Sequence, residues 1–135
     1  MADALSVVLG ETLMSEYARE EILELIEENG GPGGLDLSQY ANLQRADLSD
    51  ANLHGAYLSG ANLQEASLSG AALQEADLGY ANLQRADLRY ANLQRAYLAG
   101  ANLQGALLVG TNLHEAIYDD DATIWPNGFT PPLSR

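Results

Sequence analysis

Residues 41–60 read ANLQR-ADLSD-ANLHG-AYLSG, and this pattern runs on to Asp120 as sixteen five-residue units in unbroken register. Most units follow Ala-(Asn/Asp)-Leu-x-x. Leucine recurs every fifth residue from Leu43 to Leu113, and Tyr118 takes the last slot. Alanine stands two places before each of these positions, from Ala41 to Ala116, with Thr111 as the one departure. Internal repetition of this kind has to be read before secondary structure, because it decides the architecture.

A period of five fits neither regular element. On an α-helix, at about 100° per residue, successive leucines would advance ~140° and wind around every side. In a straight strand an odd step would send them to alternate faces. The leucines share one interior only if the chain turns a corner once per unit. Short sides joined by corners form a coil, and stacked coils form an all-β solenoid.

The outward residues set the number of sides. Asn occupies the place before leucine at 42, 52, 62, 82, 92, 102 and 112, always in alternate units. An odd number of sides would stack these on Tyr57, Asp47, Asp87 and Asp77, whereas four sides put Asn42, Asn62, Asn82 and Asn102 in one column. The second residue after leucine gives Arg45, Glu65, Arg85, Gly105 in one column and Gly55, Glu75, Arg95, Glu115 in another. Unlike charges then mostly face each other between coils. The reading is four twenty-residue coils, 41–60, 61–80, 81–100 and 101–120. At about 4.8 Å per coil they make a rod roughly 19 Å long. The aligned asparagines suggest an amide ladder along one side.

The units ANLQR, ADLSD, ANLQE, ADLRY and ANLQG resemble those of the pentapeptide-repeat proteins over roughly residues 35–120. The resemblance implies a right-handed quadrilateral β-helix. It also implies that the leucines and the alanines two places earlier point inward, so that Leu43, Leu63, Leu83 and Leu103 with Ala41, Ala61, Ala81 and Ala101 form core columns. Most members of that family have no assigned activity, and a few are dimeric mimics of duplex DNA that act on gyrase.

Outside the repeat, residues 1–30 read as an acidic amphipathic helical cap, with Ser15 as N-cap of a helix that stops at Asn29-Gly30-Gly31. Tyr17, Ile22, Leu25 and Ile26 form its apolar stripe. Two roles fit that stripe: closing the open end of the leucine core, as terminal solenoid units require, or pairing two copies. Residues 31–40 are a Gly-rich linker and lead-in, where Leu37 to Leu43 is six residues and the register slips. Residues 121–135 are a C-terminal capping tail. Its Trp125 and Phe129 are expected to plug the core end or to lie on Leu107 and Val109. The segment Thr123-Ile124-Trp125-Pro126-Asn127-Gly128-Phe129 also resembles the tails of many pentapeptide-repeat proteins.

Charge and chemistry narrow the function. The net charge is −13, with −7 in residues 1–34, −6 in 35–120 and a neutral remainder. This argues against direct nucleic-acid binding. Without cysteine there is no disulfide and no thiolate metal site. His54 and His114 are three coils apart, about 14 Å, too far to share a metal. No phosphate loop or nucleophile elbow is present, and a convex rod offers no cleft for paired carboxylates. The expectation is therefore no enzyme, no cofactor and no metal. No basic segment precedes a long apolar run, which leads to an expected cytoplasmic location without membrane association.

One side gathers Tyr57, Tyr80 and Tyr97, with Tyr40 leading in, and the opposite side carries Tyr90, Leu107 and Val109. Such clusters mark interfaces or surfaces covered by the chain's own tail. The reading is a protein-interaction module of unassigned activity. Its partner is another protein or a second copy, held through the N-terminal helix or an end of the solenoid. The alternative is a DNA-mimic inhibitor of gyrase. Against it, 19 Å of duplex presents roughly eleven negative charges, while the coils hold −6 spread over four sides.

Overall fold

The computed structural model describes residues 14–38 and 42–134, with side chains from Arg19 onward. From Asn42 the backbone pairs with itself at a separation of twenty residues. Parallel bridges join Asn42 to Asn62, Asp47 to Ser67, Asn52 to Ala72 and Tyr57 to Asp77, and each of these four columns continues upward. Each bridge is two backbone bonds, as in Asn82 N to Ala61 O (2.9 Å) and Leu63 N to Asn82 O (2.8 Å). The leucines from Leu43 to Leu103 and the alanines from Ala46 to Ala101 are buried in one continuous core. Alanine is small enough to bring each corner close to the axis, and leucine fills the space between.

The corners are four-residue turns closed by a bond from alanine N–H to the leucine carbonyl three places earlier, as in Ala46 N to Leu43 O at 3.0 Å. The third turn residue needs a positive φ, the condition of a type II turn. Arg45, Glu65, Glu75, Tyr80, Arg85, Tyr90 and Arg95 all supply it, with φ between 57° and 62°. The residue before leucine holds the turn from the other side. Its Oδ1 accepts the N–H two places on, in Asn62 to Gln64 (3.1 Å), Asn82 to Gln84 (3.1 Å), Asp77 to Gly79 (3.0 Å) and Asp87 to Arg89 (3.1 Å). This replaces the expected amide ladder. The asparagine oxygens serve their own corners, and Asp77 and Asp87 do the same work as Asn at that slot. Thr111, the exception among the alanines, donates its Oγ1 hydrogen to Leu88 O at 2.7 Å.

At the N-terminal end stands helix α1, Met14–Glu28. The helix already includes Met14, so Ser15 lies within it and is not its N-cap. The stop is as expected from Asn29-Gly30-Gly31: Gly31 N bonds Ile26 O (2.8 Å) and Gly30 N bonds Glu27 O (3.1 Å), with Gly30 at φ 75°. This is the paired bonding that ends helices on a left-handed glycine. Ile22 is buried in the common core, and Leu25 and Ile26 pack against it. Tyr17 falls within α1, its side chain outside the described residues. Arg19 Nη1 donates to the carbonyls of Asp47 (3.1 Å) and Ser49 (2.9 Å), tying α1 to the side that those residues begin. The lead-in joins the solenoid directly, since Leu35 and Leu37 are buried and Asp36 bridges Tyr57. That separation is twenty-one, so the extra residue is absorbed between Leu37 and Leu43.

At the other end Ile124 extends the first column by bridging Asn102. Thr123 is buried, donating to Leu98 O at 2.9 Å. Trp125 sits edge-on to Tyr118 (5.1 Å) and stacks with Phe129 (5.4 Å), both rings against the core. Pro131 to Ser134 return over Tyr118, whose hydroxyl donates to Pro132 O. Of the two courses expected for the tail, it takes the one over the core end. Leu107 and Val109 remain 47% and 66% exposed, because Ile124 draws the tail onto the neighbouring column.

Candidate interaction surface

The tyrosine side is built by the twenty-residue stack and the one-residue slip before it. Bridges run Asp36–Tyr57–Asp77–Tyr97–Ile117, so acid and aromatic residues alternate along one column. Tyr57 is 50% and Tyr97 41% exposed. Beside the first four levels of this column the second outward position is small: Ser38, Ser59, Gly79 and Ala99. On the Asn42 and Asn52 sides the same position carries Gln or His. The small residues leave room for rings to lie along the backbone. Tyr97 covers Gly79, where a Cβ would fall 2.9 Å from its Cε1. Tyr80, 74% exposed, forms the adjoining corner. Tyr40 and Ala41 lie outside the described residues.

Leu107 and Val109 are not part of this surface. They stand on the column of Asp47, Ser67 and Asp87, with Tyr90 at its corner, on the opposite side of the coil. The sequence reading had the tyrosines but passed over Asp36 and Asp77 as members of the same column. The signal was the twenty-residue stack corrected by one residue at the lead-in.

Elsewhere the coil surface neutralises itself. Glu65 lies between Arg45 (3.7 Å) and Arg85 (3.9 Å), and Arg95 between Glu75 and Glu115 (3.4 Å each). Arg89 grips Asp87 with two nitrogens, at 2.8 and 2.7 Å. The hydrogen bond from the Arg89 side chain, joined by that residue's backbone N–H and its charge, holds the Asp87 carboxyl below its usual value. The Ser49 hydroxyl and then its backbone N–H lower Asp47, and Ser38 lowers Asp36 in the same way. Every arginine among the described residues thus faces a carboxylate, and none of these pairs stands on the tyrosine column.

His54 and His114 are both exposed, and His114 lies 3.7 Å from Glu115. Among the described residues no group of three His, Asp or Glu is placed to hold a metal ion. No described helix is long and apolar enough to cross a membrane.

The sequence matches the family described as "Pentapeptide repeats", in eight copies over residues 41–79, 66–105 and 76–114. The chain belongs to the pentapeptide-repeat family. Its fold is the right-handed β-helix solenoid of that family, the hand expected where each parallel bridge is reached through a crossover, here the rest of a coil. Solved pentapeptide-repeat structures agree. Rfr23 from the cyanobacterium Cyanothece 51142 is 43% identical, with a TM-score of 0.61 over 62% of this chain and 56% of that one. A pentapeptide-repeat protein of the Arabidopsis thaliana thylakoid lumen is 36% identical, with a TM-score of 0.54 over 66% and 65%. One from Nostoc Pcc 7120 is 34% identical, with a TM-score of 0.51 over 81% and 88%. The chain therefore spans just over half the length of Rfr23. No curated protein matches it.

Proposed function

We propose that this pentapeptide-repeat chain is a non-catalytic module that holds another protein against its outer surface. Four twenty-residue coils form the body, α1 closes one end and the Trp125–Phe129 tail closes the other. Burial of Ile22 supports the capping role of α1 over pairing of two copies through its stripe. The observation that carries the functional reading is the tyrosine side: exposed rings in register on a floor of Ser59, Gly79 and Ala99. Large rings with few rotatable bonds lose little entropy on contact, which favours them at interfaces.

The reading is tested in the source cells by affinity purification of the chain and of a variant with Tyr57, Tyr80 and Tyr97 replaced by Ser. A stoichiometric partner, identified by mass spectrometry and lost from the variant, is the expected result. Identical recoveries from both overturn it.

DNA mimicry is the second reading, supported by the net charge and by what the family resemblance implies. The charge distribution weighs against it, since the two Arg/Glu columns cancel and much of the remaining acid lies on α1 and at Asp119 to Asp121. A gyrase supercoiling assay, with an acidic control of equal charge, is expected to show no specific inhibition.

A further inference from the structure

Asp36 and Asp77 occupy the tyrosine column two coils apart, about 9.6 Å at 4.8 Å per coil, with Tyr57 between them and Tyr97 beyond. Tyr57 and Tyr97 are offset by the same two-coil step. Asp77 is half-buried, and its Oδ1 accepts the Gly79 N–H at 3.0 Å. Asp36 is exposed and is bonded by Ser38. No cation of this chain reaches either carboxylate among the described residues, although the described arginines are paired on the other columns. The column therefore presents alternating negative charge and aromatic rings, with no cation among the described residues to complement them.

From this arrangement we infer that the tyrosine side takes a basic, proline-rich segment of a partner protein, bound as a polyproline helix along the solenoid axis. The inference rests on the protein-interaction reading and names the partner's chemistry. A polyproline helix advances about 9.3 Å in three residues and returns every third side chain to the same face. Arginine or lysine at every third place therefore meets Asp36 and Asp77 in register. The prolines between lie against Tyr57 and Tyr97, the contact by which aromatic surfaces read proline-rich chains. A strand returns side chains to one face only at even steps, so a three-residue spacing is out of phase. Each cation meets a carboxylate and an adjacent ring, and tyrosine attracts cations at its face. Ser59, small and exposed beside Tyr57, gives the segment's backbone room to approach.

The test uses the full chain and two synthetic peptides, one with arginine at every third position separated by proline pairs, and one with glutamine in place of arginine. Binding is read by fluorescence anisotropy at low and physiological salt. The arginine peptide is expected to bind and to weaken as salt rises. Asp77→Asn keeps the turn acceptor, as the asparagine corners do, and is expected to weaken binding about tenfold through loss of the charged partner. Asp50→Asn, on another side, is expected to leave it unchanged, and circular dichroism checks that both variants keep the fold. Equal binding of the glutamine peptide overturns the inference, since the tyrosines then read proline alone while the interaction module stands. Unchanged affinity in Asp77→Asn, or no binding of either peptide, also overturns it. The module reading itself falls only if the tyrosine-to-serine variant keeps every partner in cells.

Discussion

Tyr80 lies against Gly100, the residue one coil above it at the same corner: a Cβ there would fall 2.5 Å from both Cδ1 and Cε1 of the ring. Tyr90 and Gly110 repeat the arrangement on the opposite side. A corner glycine thus does two things, accepting a positive φ and leaving space for a ring from the coil below. Gly60 supplies the first, with φ 71° and none of the described residues within 4 Å of an added Cβ. Gly60→Ala is expected to cost about 1 kcal/mol, the left-handed penalty of a residue with a Cβ. Gly100→Ala is expected to cost roughly another 1 kcal/mol for displacing the ring. Adding Tyr80→Ala should remove that excess, and a double-mutant cycle by urea denaturation measures it.

Leu73 is buried at the middle of the core, while Glu75, two residues on, is exposed and pairs with Arg95 at 3.4 Å. Leu73→Asp buries an unpaired charge and is expected to abolish the cooperative thermal transition. Glu75→Gln is expected to shift stability by no more than about 0.5 kcal/mol, since exposed pairs contribute little. Melting curves followed by circular dichroism separate the two.

Asp36, Asp47 and Asp87 have carboxyls held below the usual carboxylate range by side-chain hydrogen bonds, from Ser38, Ser49 and Arg89 respectively. A carboxyl whose pKa is lower folded than unfolded adds stability above the unfolded value and loses it as pH falls through the folded one. The urea midpoint is therefore expected to be level above about pH 5 and to fall below about pH 4. Asp87→Asn keeps the bond to the Arg89 N–H but cannot be protonated in this range. It should flatten part of the acid slope, measured by denaturation at a series of pH values.

Trp125 packs between Tyr118 and Phe129, and its buried Nε1 has no hydrogen-bond partner among the described residues. Replacement by Phe gives up volume but no hydrogen bond, with an expected cost of about 1–2 kcal/mol; Trp125→Ala is expected to cost about 3–5 kcal/mol. Backbone circular dichroism reports both, because this is the sole tryptophan.

Ile22 of α1 is buried in the common core. Deleting residues 1–30 is expected to expose the first coil and to produce aggregation, seen by light scattering. A stable monomer after deletion would instead favour a pairing role for the helix.

The five-residue period by itself determined the solenoid, the inward leucines and the twenty-residue stack. A chain that turns a corner every five residues has few ways to keep one side chain per unit out of water, and every unit repeats the same constraint. The helix stop at Gly30 was legible for a similar reason: the bonding that ends a helix is local. The tertiary structure decided what depends on contacts between levels. Asn at a corner can bond its own turn or its neighbour above, and the same letters serve both; the turn takes the oxygen because the i+2 N–H is held in place by the fold of the unit. The course of the tail depended on Ile124 adding to the Asn102 edge, a pairing with no fixed sequence separation. The alternation of Asp36, Tyr57, Asp77 and Tyr97 depended on where one extra residue was absorbed before Leu43, and a single-residue slip changes which side chains share a column.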